Sequence, residues 1–129
     1  MEAGKLAGLS ILVVEDHDDL RDALSQFVEQ AGAEVRSARN GIEALAALRA
    51  SPLPDAIVCD LHMPGMDGCE FLMRLRDDAG FGYIPVIALT GQPSEEAMLR
   101  TLEVGFDSFL VKPILPVALV AQIRRVLRR

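Results

Sequence analysis

The chain reads as one α/β domain on a doubly wound (βα)5 plan, a parallel sheet with helices on both faces. Short apolar runs, rich in β-branched residues, recur between longer stretches with helical spacing, which is the signature of buried parallel strands. Four of these runs also stop at residues bearing a carboxylate, a hydroxyl or an ammonium group. Ile11-Leu12-Val13-Val14 ends at Glu15-Asp16, and Ala56-Ile57-Val58-Cys59 ends at Asp60. Val86-Ile87-Ala88-Leu89 ends at Thr90, and Phe109-Leu110-Val111 ends at Lys112-Pro113. Ligands of open α/β sheets sit at the carboxyl ends of strands, so these residues are expected to meet on one rim.

The first strand is expected over about Ser10 to Val14. A helix follows from about Asp18 to Ala31, with Leu20, Leu24, Phe27, Val28 and Ala31 at helical spacing. Asp18, Asp19 and Asp22 suit its positive amino end, and Gly32 stops it. Strand two is short, around Glu34 to Ser37, and Asn40-Gly41 is a cap or turn. Ile42, Leu45 and Leu48 mark helix two, which Ser51-Pro52-Leu53-Pro54 breaks. Strand three is Ala56 to Cys59, and a loop from Leu61 to Asp67 leads to helix three over about Gly68 to Asp77, burying Phe71, Leu72 and Leu75. Strand four follows Pro85, and helix four spans about Glu95 to Val104, with Ser94 as N-cap and Gly105 as stop. Strand five is about Ser108 to Val111, and Leu115, Leu119, Ile123 and Val126 form the stripe of helix five.

A chain of 129 residues is one domain, here 1–129, able to bury roughly two-thirds of its unfolded surface. With 50% apolar residues it needs neither disulfide nor structural metal for a core. A net charge of −6 argues against direct nucleic-acid binding, because an acidic surface repels phosphate backbones. Cys59 and Cys69 are expected as reduced thiols. No apolar run approaches the roughly 20 residues that span a bilayer. Met1-Glu2-Ala3-Gly4-Lys5 lacks the pattern of a signal peptide, so the expected location is the cytoplasm.

Taken singly, each rim residue has an ordinary explanation. Asp60 can begin a turn, Glu15 to Asp19 can cap a helix, and Lys112 can precede a helix-starting proline. Together they describe a reaction centre. Clustered acids raise one another's pKa values unless a cation sits among them, and hard oxygen ligands with open positions suit Mg²⁺. Asp16 is expected to be the better ligand, and Glu15 with its longer chain also binds through water if not directly. Lys112 can pair with Asp60 as a compact charge, and Pro113 can hold its turn through a cis peptide bond.

Glu15-Asp16, Asp60, the loop Met63-Pro64-Gly65-Met66-Asp67-Gly68, Thr90 and Lys112-Pro113 resemble the receiver domain of two-component response regulators in order, spacing and strand-end placement. The resemblance covers about Leu9 to Leu127. It implies a flavodoxin-like fold with strand order 2-1-3-4-5. It implies that Asp60 accepts a phosphoryl group from a histidine kinase, a histidine phosphotransfer protein or a small phosphodonor. Glu15, Asp16, Asp60 and the backbone carbonyl of His62 would then hold Mg²⁺. Thr90 and Lys112 would contact the phosphoryl group, with Thr90 and Phe109 as the switch pair and His62 and Gln92 tuning hydrolysis. Glu15 stands where many receivers have aspartate.

A haloacid-dehalogenase-like phosphatase also uses a strand-end aspartate, a threonine, a lysine and Mg²⁺. It needs a second aspartate two residues on, where this chain has His62. No phosphate-binding glycine motif follows any strand, which argues against a nucleotide-binding protein. A static pseudo-receiver conflicts with the complete set of acids, Thr90 and Lys112. The chain reads as a phospho-acceptor and not an enzyme with a turning-over substrate, either a stand-alone receiver or part of a hybrid histidine kinase or larger regulator. Val117, Val120 and Ala121 lie off the stripe of helix five and either pair with a second receiver in a homodimer or pack on strand five and helix one.

Overall fold

Strands without a polar face must be covered on both sides, and parallel neighbours must be joined by a crossover. The computed structural model, which describes residues 4–50, 52–91 and 94–128, meets both needs with a helix after every strand. In chain order the elements are β1 (Ser10–Val14), α1 (Asp18–Gln30), β2 (Glu34–Ala38), α2 (Gly41–Arg49) and β3 (Ala56–Asp60). They continue as α3 (Gly68–Arg76), β4 (Val86–Thr90), α4 (Glu95–Val104), β5 (Ser108–Val111) and α5 (Pro116–Leu127). The sheet is parallel in the order β2-β1-β3-β4-β5, as expected.

The pleat splits the strand side chains between two cores. Leu12, Val14, Ile57 and Cys59 face Leu45 and Leu48 of α2 and Phe71, Leu72 and Leu75 of α3. Ile11, Val13, Val58, Ile87 and Leu89 face Leu24 and Val28 of α1 and Leu119, Ile123 and Val126 of α5. Side chains close the helix starts that the sequence marks. Asn40 Oδ1 accepts from the Glu43 amide at 2.9 Å, Asp67 Oδ1 from Glu70 at 2.9 Å, and Ser94 Oγ from Ala97 at 3.2 Å. Gly105 ends α4 with φ of 118°, a left-handed conformation that favours glycine.

Several expectations are corrected in detail. Asp60 is the last residue of β3 and not the first residue beyond it, and β2 continues to Ala38, while Thr90 ends β4 as expected. Ile42 is 63% exposed, because α2 turns Ala44, Leu45 and Leu48 inward instead. Leu115 is 65% exposed because it is the N-cap of α5, outside the helix that Pro116 begins. Leu6, ahead of the first strand, is fully buried in the α1–α5 core, and its amide donates to the Ala31 carbonyl at 2.8 Å. Val120 packs partly into that core, while Val117 and Ala121 are exposed. Cys59 and Cys69 are free thiols. Among the described residues no helix is long and apolar enough to cross a membrane.

Candidate functional site

Register brings the strand ends level. Val14 lies beside Cys59, Asp60 beside Leu89, and Thr90 beside Val111. Glu15-Asp16, Asp60, Thr90 and Lys112 therefore surface on one rim, next to the gap where the chain order reverses between β1 and β3.

Glu15, Asp16 and Asp60 each offer a carboxylate oxygen, and these lie within 4.8 Å of one another. Glu15 and Asp60 are 1% and 2% exposed, while Asp16 is more open. Lys112 Nζ stands 3.2 Å from Asp60 Oδ1 and 3.4 Å from Glu15 Oε1. Three carboxylates against one ammonium leave the rim strongly acidic. Burial is the main reason that the Glu15 carboxyl is pushed up from 4.5 to about 7. The His17 amide, which donates to Glu15 Oε2 at 3.1 Å, opposes that rise, Asp60 adds to it, and Lys112 opposes it. Burial also works against the charge on Lys112, yet Asp60 and Glu15 outweigh it and raise the ammonium above its ordinary value.

These residues fit a divalent cation. Among the described residues Glu15 Oε1 is buried without a hydrogen-bond partner, and at 3.4 Å Lys112 offers it an ion pair. An ion bound by all-oxygen donors would satisfy that atom and offset the mutual repulsion of the acids.

Thr90 is 2% exposed, and its carbonyl accepts from the Lys112 amide at 2.8 Å. With His62, Cys69 and Thr101 it lines a cavity of about 180 Å³ below α4. His62 is exposed, its amide making a long 3.4 Å contact with Asp60 Oδ1. Phe109 is partly buried against the α2–α3 core and pairs in register with Ala88. The Lys112–Pro113 peptide bond is cis. Gln92 lies outside the described residues.

Two residues at the site have no role that the sequence alone suggests. A Cβ on Gly68 would lie 2.5 Å from the Asp60 carbonyl oxygen, so only glycine lets α3 begin this close to the end of β3. Arg21 donates to the Glu15 carbonyl at 3.0 Å, and the sole trace of this in the sequence is its spacing of three from Asp18.

The family model of the response regulator receiver domain matches residues 11–124. The chain belongs to the response regulator receiver family. The receiver is 37% identical over 124 residues to the phosphate regulon transcriptional regulatory protein PhoB of Pseudomonas aeruginosa. That match covers 96% of this chain and 54% of the relative, so the receiver spans about half the length of PhoB. Among solved structures it is similar to a response regulator of Chloroflexus aurantiacus, with TM-score 0.88 and 35% identity over 94% of this chain and 98% of that one. It is likewise similar to chemotaxis protein CheY4 of Vibrio cholerae, with TM-score 0.85 and 34% identity over 93% of this chain and 99% of that one. The receiver is thus a module of two-component signalling, and the haloacid-dehalogenase-like alternative is left without support.

Proposed function

We propose that the whole chain works as one receiver in which Asp60 accepts a phosphoryl group. The donor is a histidine kinase, a histidine phosphotransfer protein or a small phosphodonor. The observation that carries this reading is the convergence of Glu15, Asp16 and Asp60 within 4.8 Å, with Lys112 Nζ 3.2 Å from Asp60. A carboxylate oxygen of Asp60 attacks phosphorus, the bond from phosphorus to the donor breaks, and the donor imidazole leaves with the electron pair and takes up a proton. Phosphoryl transfer needs positioning and charge neutralisation more than covalent assistance. Lys112 supplies a fixed positive charge beside the phosphoryl oxygens, and the Thr90 hydroxyl donates to one of them. Glu15, Asp16, Asp60 and the His62 carbonyl would hold Mg²⁺, which when bound neutralises phosphoryl charge. Phosphorylation adds roughly −1.5 to −2 charges at the rim. Thr90 moves towards that charge and Phe109 fills the space it leaves, so a local event alters the surface offered to partners.

The domain catalyses its own phosphorylation and dephosphorylation and acts in the cytoplasm. It works alone or within a larger regulator or hybrid kinase, through protein partners that include a second receiver, with no direct nucleic-acid contact. Incubation with acetyl phosphate and Mg²⁺ should label the wild-type chain, read as a mass increase of one phosphoryl group. Asp60→Asn should take none. Equal labelling of both proteins would remove Asp60 from the role.

A further inference from the structure

Arg21 lies in the first turns of α1, and its guanidinium reaches back across the β1–α1 junction. Nη1 donates to the backbone carbonyl of Glu15 at 3.0 Å, and Nη2 donates to Asp18 Oδ1 at 2.5 Å. The Arg21 side chain is 14% exposed although its partner Asp18 is 76% exposed, so the fork is held largely under the loop it braces. Glu15 is thereby pinned along its backbone at both ends. Its amide donates to the Ala38 carbonyl at 3.0 Å, and its carbonyl accepts from Arg21. The His17 amide then holds the Glu15 carboxylate at 3.1 Å. Of these three restraints, the one from Arg21 is made by a side chain and can be removed without cutting the backbone.

We propose that Arg21 is a positioning residue that presets the loop carrying Glu15 and Asp16 for a divalent cation. The inference rests on the cation site of the proposed function and adds a residue to it. A planar guanidinium can hold two acceptors at a fixed separation, here a strand-end carbonyl and a carboxylate of the first helical turn. Without it the Glu15 carbonyl loses a partner and the Glu15–His17 segment gains freedom, which ion binding must then remove. Groups that orient metal ligands typically alter affinity by 10- to 100-fold when lost. Simple electrostatics predicts the opposite sign. Removing a positive charge beside an acidic cluster should tighten the binding of a cation. The direction of the change therefore separates orientation from charge.

Isothermal titration of Mg²⁺ into the full chain, well below the melting temperature of each variant, tests this. Arg21→Met should weaken binding by about tenfold. Arg21→Lys, which keeps the charge but reaches one acceptor at a time, should fall between Met and wild type. Wild-type or tighter binding in Arg21→Met overturns the proposal, as does wild-type affinity in Arg21→Lys. Should the methionine variant fail to fold in the absence of metal, the affinity of the lysine variant alone decides between orientation and charge. The site itself is checked separately with Asp16→Asn. If that change leaves the Mg²⁺ affinity of the wild type unaltered, or if the wild type takes no Mg²⁺, the proposed function fails whatever Arg21 does.

Discussion

Thr90 ends β4 and Lys112 directly follows β5, and the two are joined by a hydrogen bond, the Lys112 amide donating to the Thr90 carbonyl at 2.8 Å. This bond is backbone to backbone, so it places both side chains at the rim whatever residue stands at position 90. Thr90→Ala should therefore still be labelled by acetyl phosphate but lose phosphorylation-dependent partner binding. Intact partner binding would refute the coupling of Thr90 to Phe109. His62 is the exposed neighbour on the other side, its amide 3.4 Å from Asp60 Oδ1. If its imidazole limits the approach of hydrolytic water, His62→Ala should shorten the life of phospho-Asp60 several-fold, measured as decay of the label after donor removal. An unchanged half-life would discard that role. The ionisable residues of the site were legible because each stands at the end of a strand or within two residues of it. Gly68 was not, since its role depends on how closely α3 approaches the Asp60 carbonyl, a distance no local pattern encodes.

Among the helices, α4 is bound differently from the rest. α1 buries Leu24 and Val28, α3 buries Phe71, Leu72 and Leu75, and α5 buries Leu119, Ile123 and Val126. Among the described side chains of α4 only Thr101 is buried, while Leu99, Leu102 and Val104 are exposed. An element with little buried apolar surface opens at lower free energy than the global fold. Amide hydrogen exchange should accordingly be faster across α4 than across α1 and α5 in the unphosphorylated protein, and equal protection would contradict this. The helix lies over the cavity beside Thr90, so an element with little buried apolar surface adjoins the proposed site of charge change. Its cap and stop, Ser94 and Gly105, were plain in the sequence. Its loose seating was not, because apolar residues at helical spacing show where a stripe runs but not whether anything covers it. Ile42 and Leu115 were misjudged for the same reason.

For the molecule as a whole, the acidic pocket ties stability to pH and to metal. The Glu15 carboxyl titrates at about 7 in the folded chain against 4.5 ordinarily, chiefly through burial. Between those values the folded state keeps a proton that the unfolded state has released. Its contribution is fully present below the unfolded value and is lost as pH rises through the folded one. The melting temperature of the metal-free protein should therefore fall from about pH 5 to about pH 8, and Glu15→Gln should flatten this dependence. Added Mg²⁺ should recover the loss at the upper end of the window, because an ion that binds only the folded state stabilises it. A scan in chelator that rises with pH would show the pocket to be assembled otherwise. The lowered pKa values of Asp18 and Glu43 act below this window and leave it clear.

Periodicity and punctuation along the chain were sufficient for the order of the elements, the parallel sheet and the residues at the strand ends, because each depends on neighbours a few positions away. How near the three carboxylates come, how deeply Glu15 is buried and that Arg21 braces its carbonyl were decided only by folding. Those features depend on strand register and on the depth at which a helix is seated, and both are set by packing between segments far apart in sequence.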